Sequence, residues 1–203
     1  MTRKLQVNVL AAVLSGALPL GVMAQGLTGY SAQTIIDGDV GVNAQGVLGV
    51  NMASGDANLQ SNAMALAISN DGQAQAQANV VQVIDNGQFR VPDVAVARID
   101  GNAFSNASGA IAVNQAAGAA NAQANGVAIA LGVGAEVTAD AELAQSISGI
   151  TPVASANGQS RQTTVADTAF SGARGIVQVN QSAGIANATS NSFALRVQLG
   201  VPQ

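Results

Sequence analysis

Three copies of one pattern, Asn-x3-Gly-x2-Asn-x3-Asn, run through this chain. The first holds Asn51, Gly55, Asn58 and Asn62. The second holds Asn114, Gly118, Asn121 and Asn125, and the third Asn180, Gly184, Asn187 and Asn191. The offsets are 63 and then 66 residues. A fixed internal period marks a repeat architecture, in which one unit stacks on the next because none can bury its apolar face alone.

The residues around the pattern report which way side chains point. Upstream, the columns Leu48/Ile111/Val177 and Val50/Val113/Val179 are always bulky and apolar, and the column between them holds Gly49, Ala112 or Gln178. Downstream, three columns are bulky: Met64/Val127/Phe193, Leu66/Ile129/Leu195 and Ile68/Leu131/Val197. Ala fills most places between these, with Arg196 the one charge. Period-two alternation is the mark of a half-buried strand and makes no single face on a helix. Ala favours helix, but each copy has a central Gly and several Asn, and lacks the Glu and Lys that clothe an Ala-rich helix. The expectation is an all-β chain, a β-solenoid of stacked β-arch repeats, with the bulky columns turned inward.

Each copy then reads as strand, bend, strand. Gly supplies positive φ without steric cost, and Asn tolerates the left-handed region and bonds nearby backbone. A bend this long suits an arch, whose two strands meet through side chains and bond to the layers above and below. Equivalent Asn residues would stack as an amide ladder along such layers. Simple turn chemistry accounts for the same Asn and Gly residues without a ladder.

The N-terminus bears on compartment. Met1-Thr2-Arg3-Lys4 precedes a mostly apolar run from Leu5 to Val22, and Val22-Met23-Ala24 offers small residues for cleavage. This predicts a signal peptide over 1–24 and a mature chain, 25–203, forming one repeat domain with cores at about 36–68, 99–131 and 165–197. No segment of the mature chain is long and apolar enough to span a bilayer as a helix.

The mature chain would carry five Arg, no Lys and eleven Asp or Glu, with no Cys, His or Trp. Most routes to nucleophilic and general-base catalysis need those missing groups, so no enzyme, catalytic residue or cofactor is expected. The negative balance and scattered Arg argue against nucleic acid. Asp37-Gly38-Asp39 has the look of a calcium-loop start, but the EF-hand spacing is absent and no metal is expected; a turn is the plainer reading. Only 9% of residues are charged and 2% aromatic. Low charge, high β-propensity and nearby amides are the signature of cross-β assembly.

The stretch Val47 to Ala67, with Val50-Asn51, Gly55, Asn58 and Asn62-Ala63, resembles the repeat of the functional amyloid (Fap) subunits of pseudomonads. Gln181-Ser182-Ala183-Gly184-Ile185-Ala186-Asn187-Ala188 is similar, more distantly, to curlin repeats. The resemblance implies an exported structural protein that joins itself or a major fibre subunit in extracellular cross-β fibres of a biofilm matrix, as subunit, minor component or nucleator. It further implies passage through the periplasm of a Gram-negative bacterium, with an outer-membrane export pore and a periplasmic chaperone as partners. A paired-cysteine motif near the C-terminus belongs to that family pattern, and this chain has no Cys. The other class the residues allow is a monomeric β-solenoid adhesin, a binding module of the cell surface.

Between the cores, Gln73 to Asn79 reads either as a strand with Gln on one face or as a flexible linker. Asn79 to Ile84 reads as a strand, Asp85-Asn86-Gly87-Gln88 as a turn, and Thr151-Pro152 to Ser160 as a linker or an exposed loop.

Overall fold

The computed structural model describes residues 12–13, 29–70, 72–153 and 159–200, with the backbone alone at Ala135. The expected leader, 1–24, lies outside them except for Ala12–Val13 (β1), which pairs in parallel with Leu48 and Gly49. Most of the expected loop after Pro152 also lies outside.

The chain is a β-solenoid of three rungs, and no helix occurs among the described residues. The first rung comprises β2 (Ser31–Ile36), β3 (Gln45–Ser54), β4 (Leu59–Ser69) and β5 (Gly72–Arg90). The second comprises β6 (Val94–Ile99), β7 (Ser108–Ala119), β8 (Ala122–Val133) and β9 (Ala135–Val153). The third comprises β10 (Ser160–Val165), β11 (Arg174–Ile185) and β12 (Ala188–Leu199). Neighbouring strands of a sheet lie one whole rung apart in sequence, so they run the same way and every ladder is parallel. The sheets are β2-β6-β10, β3-β7-β11 (with β1 at its edge), β4-β8-β12 and the two-stranded β5-β9. The second rung is therefore the middle strand of each three-stranded sheet.

The 63- and 66-residue offsets are the registers of these ladders. Asn51 pairs with Asn114 and Asn114 with Asn180; Asn62 pairs with Asn125 and Asn125 with Asn191. The loops before β3, β7 and β11 stack as well: Phe104 N–H donates to Val40 O at 2.7 Å and Phe170 N–H to Ala103 O at 2.8 Å. The rings of Phe104 and Phe170 stack with centroids 4.9 Å apart.

The main core lies between the β2 and β3 sheets. Ile36 and Ile99 meet Val50, Ile111 and Val113 there, closed at one side by Phe104, with Leu48, Met52 and Val179 packed against them. The upstream bulky columns thus fill this core, except that Val177, expected to point inward, is exposed because it lies on the end rung. A second, thinner layer joins the β4 and β5 sheets. Ala74, Ala76, Ala78, Ala128, Ala130 and Val137 are buried in it, with Ala63, Ala65 and Ala67 against them. Ala lets two sheets approach closely, which is why this layer needs no large side chain.

One local alternative is resolved and one expectation is overturned. Gln73–Asn79 belongs to strand β5, with Ala74, Ala76 and Ala78 buried and Gln73, Gln75 and Gln77 exposed. Asp85–Gln88 is no turn: β5 runs through it. Positive φ at Asn86 and at its partner position Gly149 makes a paired kink in both strands.

Candidate assembly interface

The surface that matters in a solenoid is the one each rung offers the next. At the bend, β3 and β4 exchange no ladder bonds; they meet through side chains. Asn62 Nδ2 donates to Asn51 Oδ1 at 2.9 Å, and an added Cβ on Gly49 would touch Asn62, so Gly49 and Asn51 face β4. The second and third rungs repeat the pair: Asn125 Nδ2 donates to Asn114 Oδ1 and Asn191 Nδ2 to Asn180 Oδ1, both at 2.9 Å.

The same amides also run between rungs. Asn114 Nδ2 donates to Asn51 Oδ1 and Asn62 Oδ1 below it, each at 2.9 Å. Asn180 Nδ2 donates to Asn114 Oδ1 at 3.0 Å and Asn125 Oδ1 at 3.1 Å. Asn125 Nδ2 reaches Asn62 Oδ1 at 2.9 Å and Asn191 Nδ2 reaches Asn125 Oδ1 at 3.1 Å. At the tip, Asn121 Nδ2 donates to Asn58 Oδ1 and Asn187 Nδ2 to Asn121 Oδ1, both at 2.8 Å. Asn114, Asn121 and Asn125 are fully buried in the second rung, and a buried amide left without partners costs about 1–3 kcal/mol, so this network fixes register as well as holding layers.

Glycine does its work where layers touch backbone to backbone. Gly55 and Gly118 have positive φ, and an added Cβ would stand 2.0 Å from Gly118 O and 1.7 Å from Gly184 O. Only a residue without Cβ fits. The left-handed residue just before each tip Asn is an alanine, Ala57, Ala120 or Ala186, with φ of 51–54°. Nothing in the residue type signals this. At Ala120 and Ala186 the rung beneath supports the conformation, through the backbone N–H of Asn121 on Asn58 Oδ1 at 3.1 Å and that of Asn187 on Asn121 Oδ1 at 3.2 Å; Ala57, in the first rung, adopts it without such a bond.

Glutamines missing from the sequence pattern tie one sheet to the next. Gln115 Nε2 donates to Thr34 O and Arg98 O, and Gln181 Nε2 to Ala97 O and Thr164 O, joining the β3 and β2 sheets. Gln60 and Gln123 join β4 and β8 to the carbonyls of Met52 and Gln115. Gln82 and Gln145 join β5 and β9 to the carbonyls of Gln123 and Thr189. The signal was available: Gln60/Gln123 and Gln82/Gln145 recur at 63 residues and Gln115/Gln181 at 66.

The downstream bulky columns sit differently from the expectation that they point to a core. Val127 is buried and Met64 half-buried, but Leu66 is 55% exposed, Ile68 64% and Leu195 39%. Ile129, Leu131 and Val197 are half-buried, and Phe193 is exposed. Beyond the Asn51–Asn62 pair the two arms part, leaving Val47 exposed on one wall and Leu66 and Ile68 on the other. Further out, Ile68, Leu131, Val133, Val197 and Leu199 line a shallow apolar groove. The covered face of β4 and β8 is the Ala face, under β5 and β9. Arg196 occupies that Ala column in the third rung, where β12 has β9 beside it but no covering strand of its own rung among the described residues, and it is exposed.

Charged groups lie at the periphery. Asp37 Oδ1 accepts from Gly38 N–H at 2.6 Å and Asp39 Oδ1 from Asn102 Nδ2 at 3.2 Å, so both serve stacked turns. Arg98 pairs with Asp100. Tyr30 lies under Arg90, whose guanidinium carbon is 5.1 Å from the ring centroid. Burial, and then the Asp56 carboxylate, raise the Tyr30 hydroxyl above its usual range, opposed by Arg90. No group of three or more acidic or metal-ligating side chains able to hold a metal ion occurs among the described residues.

Comparison with known proteins agrees with this architecture of repeats. A model of the functional amyloid protein FapB/FapC family matches residues 18–198. Over 124 residues the chain is 38% identical to the functional amyloid subunit FapC of Pseudomonas aeruginosa, an alignment taking in 57% of this chain and 35% of that protein. The chain thus spans about a third of the length of that relative. No solved structure matches. With the match running through all three rungs, the chain belongs to the functional amyloid protein FapB/FapC family.

Proposed function

We propose that this protein is an exported structural subunit that stacks with copies of itself, or with a longer fibre subunit of its family, into extracellular cross-β fibres of a biofilm matrix. The observation that carries the reading is the state of the end rungs. In three of the sheets the first and third rungs offer outward the same strands, Asn columns and apolar columns that are already joined twice inside the chain. Apart from the two-residue β1 of the expected leader on β3, both ends are open sheet edges with no helix and no further strand laid across them among the described residues, the arrangement that soluble solenoids avoid by capping. Family membership supports the reading, and so does the printed role of the Pseudomonas relative as an amyloid subunit.

The residues then take these roles. Asn51, Asn58, Asn62 and their equivalents lock register; Gly55, Gly118 and Gly184 allow the close layer; Val50, Val113, Val179 and Ile111 supply a dry core. Residues 1–24 act as a leader removed on export, and an outer-membrane pore with a periplasmic chaperone delivers residues 25–203 as one repeat domain. Neither an active site nor a cofactor enters the mechanism. The test is quiescent incubation of the purified mature chain, followed by dye fluorescence and fibre diffraction. A lag phase with reflections near ~4.7 Å and ~10 Å is the expected result. A protein that stays monomeric and unfolds cooperatively would instead make it a surface-bound solenoid.

A further inference from the structure

The two ends of the solenoid are not equivalent, and the difference lies in groups that cannot be turned round. In the tip column, backbone N–H groups of Asn121 and Asn187 donate downward to Asn58 Oδ1 and Asn121 Oδ1. A backbone N–H is always a donor, so each Asn in this column must present its oxygen upward, toward the third-rung side. The column therefore ends at the top in Asn187 Oδ1, an acceptor. It begins at the bottom with Asn58, whose backbone N–H and amide occupy the donor place.

Glycine gives a second, independent polarity. In the column Gly46/Gly109/Gly175 an added Cβ points down: on Gly109 it would stand 2.0 Å from Gly46 O, and on Gly175 2.1 Å from Gly109 O. On Gly46 itself it meets nothing within 4 Å; among the described residues only the two-residue β1 lies on that side, against Leu48 and Gly49. In the column Gly55/Gly118/Gly184 the Cβ points up, and on Gly184 it meets only side-chain atoms at 3.4 Å or more. Yet Gly46 and Gly184 keep φ of 96° and 137°, the same left-handed range as their buried equivalents. Each end glycine is thus shaped for a backbone that the single chain does not provide.

We infer that copies of this chain join in one sense only, the first rung of one on the third rung of the next, with Gly46 and Gly184 as the two halves of the junction. Asn58 of the upper copy then donates to Asn187 Oδ1 of the lower, as Asn121 does to Asn58. Gly46 of the upper copy lies over Gly175 of the lower, and Gly184 of the lower copy under Gly55 of the upper. Top-to-top contact would set acceptor against acceptor, and bottom-to-bottom contact donor against donor. This inference rests on the stacking reading above and adds its direction.

The test uses two variants of the mature chain, residues 25–203, which leaves the lower edge at Leu48 and Gly49 free of β1: Gly46→Ala and Gly184→Ala. Each places a methyl where the free chain has room and the joined chain has a carbonyl oxygen. Each variant alone should remain monomeric by sedimentation velocity at concentrations where the wild type forms fibres. An equimolar mixture should give a species of twice the monomer mass and nothing longer, since only one good junction can form. Dimers or fibres from either variant alone, or no dimer in the mixture, would overturn the one-sense junction. Should the positive φ prevent the Ala variants from folding, as judged by loss of the β-type circular dichroism, Gly46→Asn and Gly184→Asn serve instead, because Asn tolerates that region best. Wild-type chain run in parallel separates the two claims. Absence of cross-β fibres there sinks the stacking reading, whereas wild-type fibres together with fibres from each variant alone sink only the polarity.

Discussion

The second and third rungs carry the same pattern in different surroundings. Val113 is fully buried and its partner Val179 half-buried; Ile111 is 2% exposed and Val177 40%; Val127 is 1% exposed and Phe193 37%. Residue type does not explain this, since the outer rung holds the larger ring. Position in the stack does. An apolar residue at the end of a solenoid is a core residue still lacking its upper neighbour, and a contiguous exposed set of them marks an interaction surface. The second rung shows what the third would become if another layer were added, as the proposed stacking requires.

The sharpest way to break this comparison is to put one charge into both rungs. Val113→Asp should cost about 4 kcal/mol or more in urea unfolding of the monomer, because an unpaired carboxylate enters the core. Val177→Asp should leave the monomer folded within about 1 kcal/mol and abolish fibre growth. Equal monomer destabilisation by the two would contradict the comparison. Next comes the Ala column. Ala130→Arg forces a cation beneath β5 and β9 and should cost about 3–5 kcal/mol, whereas Arg196→Ala, made at the same column where the side chain is exposed, should change monomer stability by less than about 0.5 kcal/mol. Smaller again is the amide network. Asn125→Ala removes bonds to Asn62, Asn114, Asn180 and Asn191 and should cost about 2–3 kcal/mol; Asn191→Ala, with no layer above, about 1 kcal/mol.

The smallest expected effect lies at the first rung. The Tyr30 hydroxyl has a folded pKa raised above 10.0, by burial first and then by Asp56. The unfolded chain therefore ionises first, so the contribution of Tyr30 is intact below about pH 10 and is lost as pH rises through the folded value. Thermal unfolding between pH 9 and 11 should show a decline that Tyr30→Phe removes.

Much of this was legible in the residues. The recurrence of Asn51/Asn114/Asn180 gave the ladder registers, and the alternation around Val50 and Val113 gave the face of the main core. The downstream arm was misread for a definable reason. Alternation says that a strand has two unlike faces, but it does not say which face is covered when a second sheet lies behind. Large residues at Leu66 and Ile68 look like core, and Ala65 and Ala67 look like surface. The structure reverses them because Gln73–Asn79, taken as ambiguous, is a strand whose own Ala face needs an Ala partner. Ala57, Ala120 and Ala186 were unreadable for another reason: nothing in an alanine signals a left-handed backbone, and at Ala120 and Ala186 the support comes from bonds to the rung beneath.

In-register stacking has a further consequence, for side chains that make no contact at all. A single residue of the subunit becomes a row along the fibre, repeated every three layers, about 14 Å at a strand spacing of ~4.8 Å. That interval is only modestly longer than the Debye length of about 8–10 Å at physiological salt. The exposed Glu136, Asp140 and Glu142 of β9 would thus draw a nearly continuous negative line down one flank, and Arg196 a positive line on another. How such filaments bundle would then be set by ionic strength, through charges that the isolated chain barely feels.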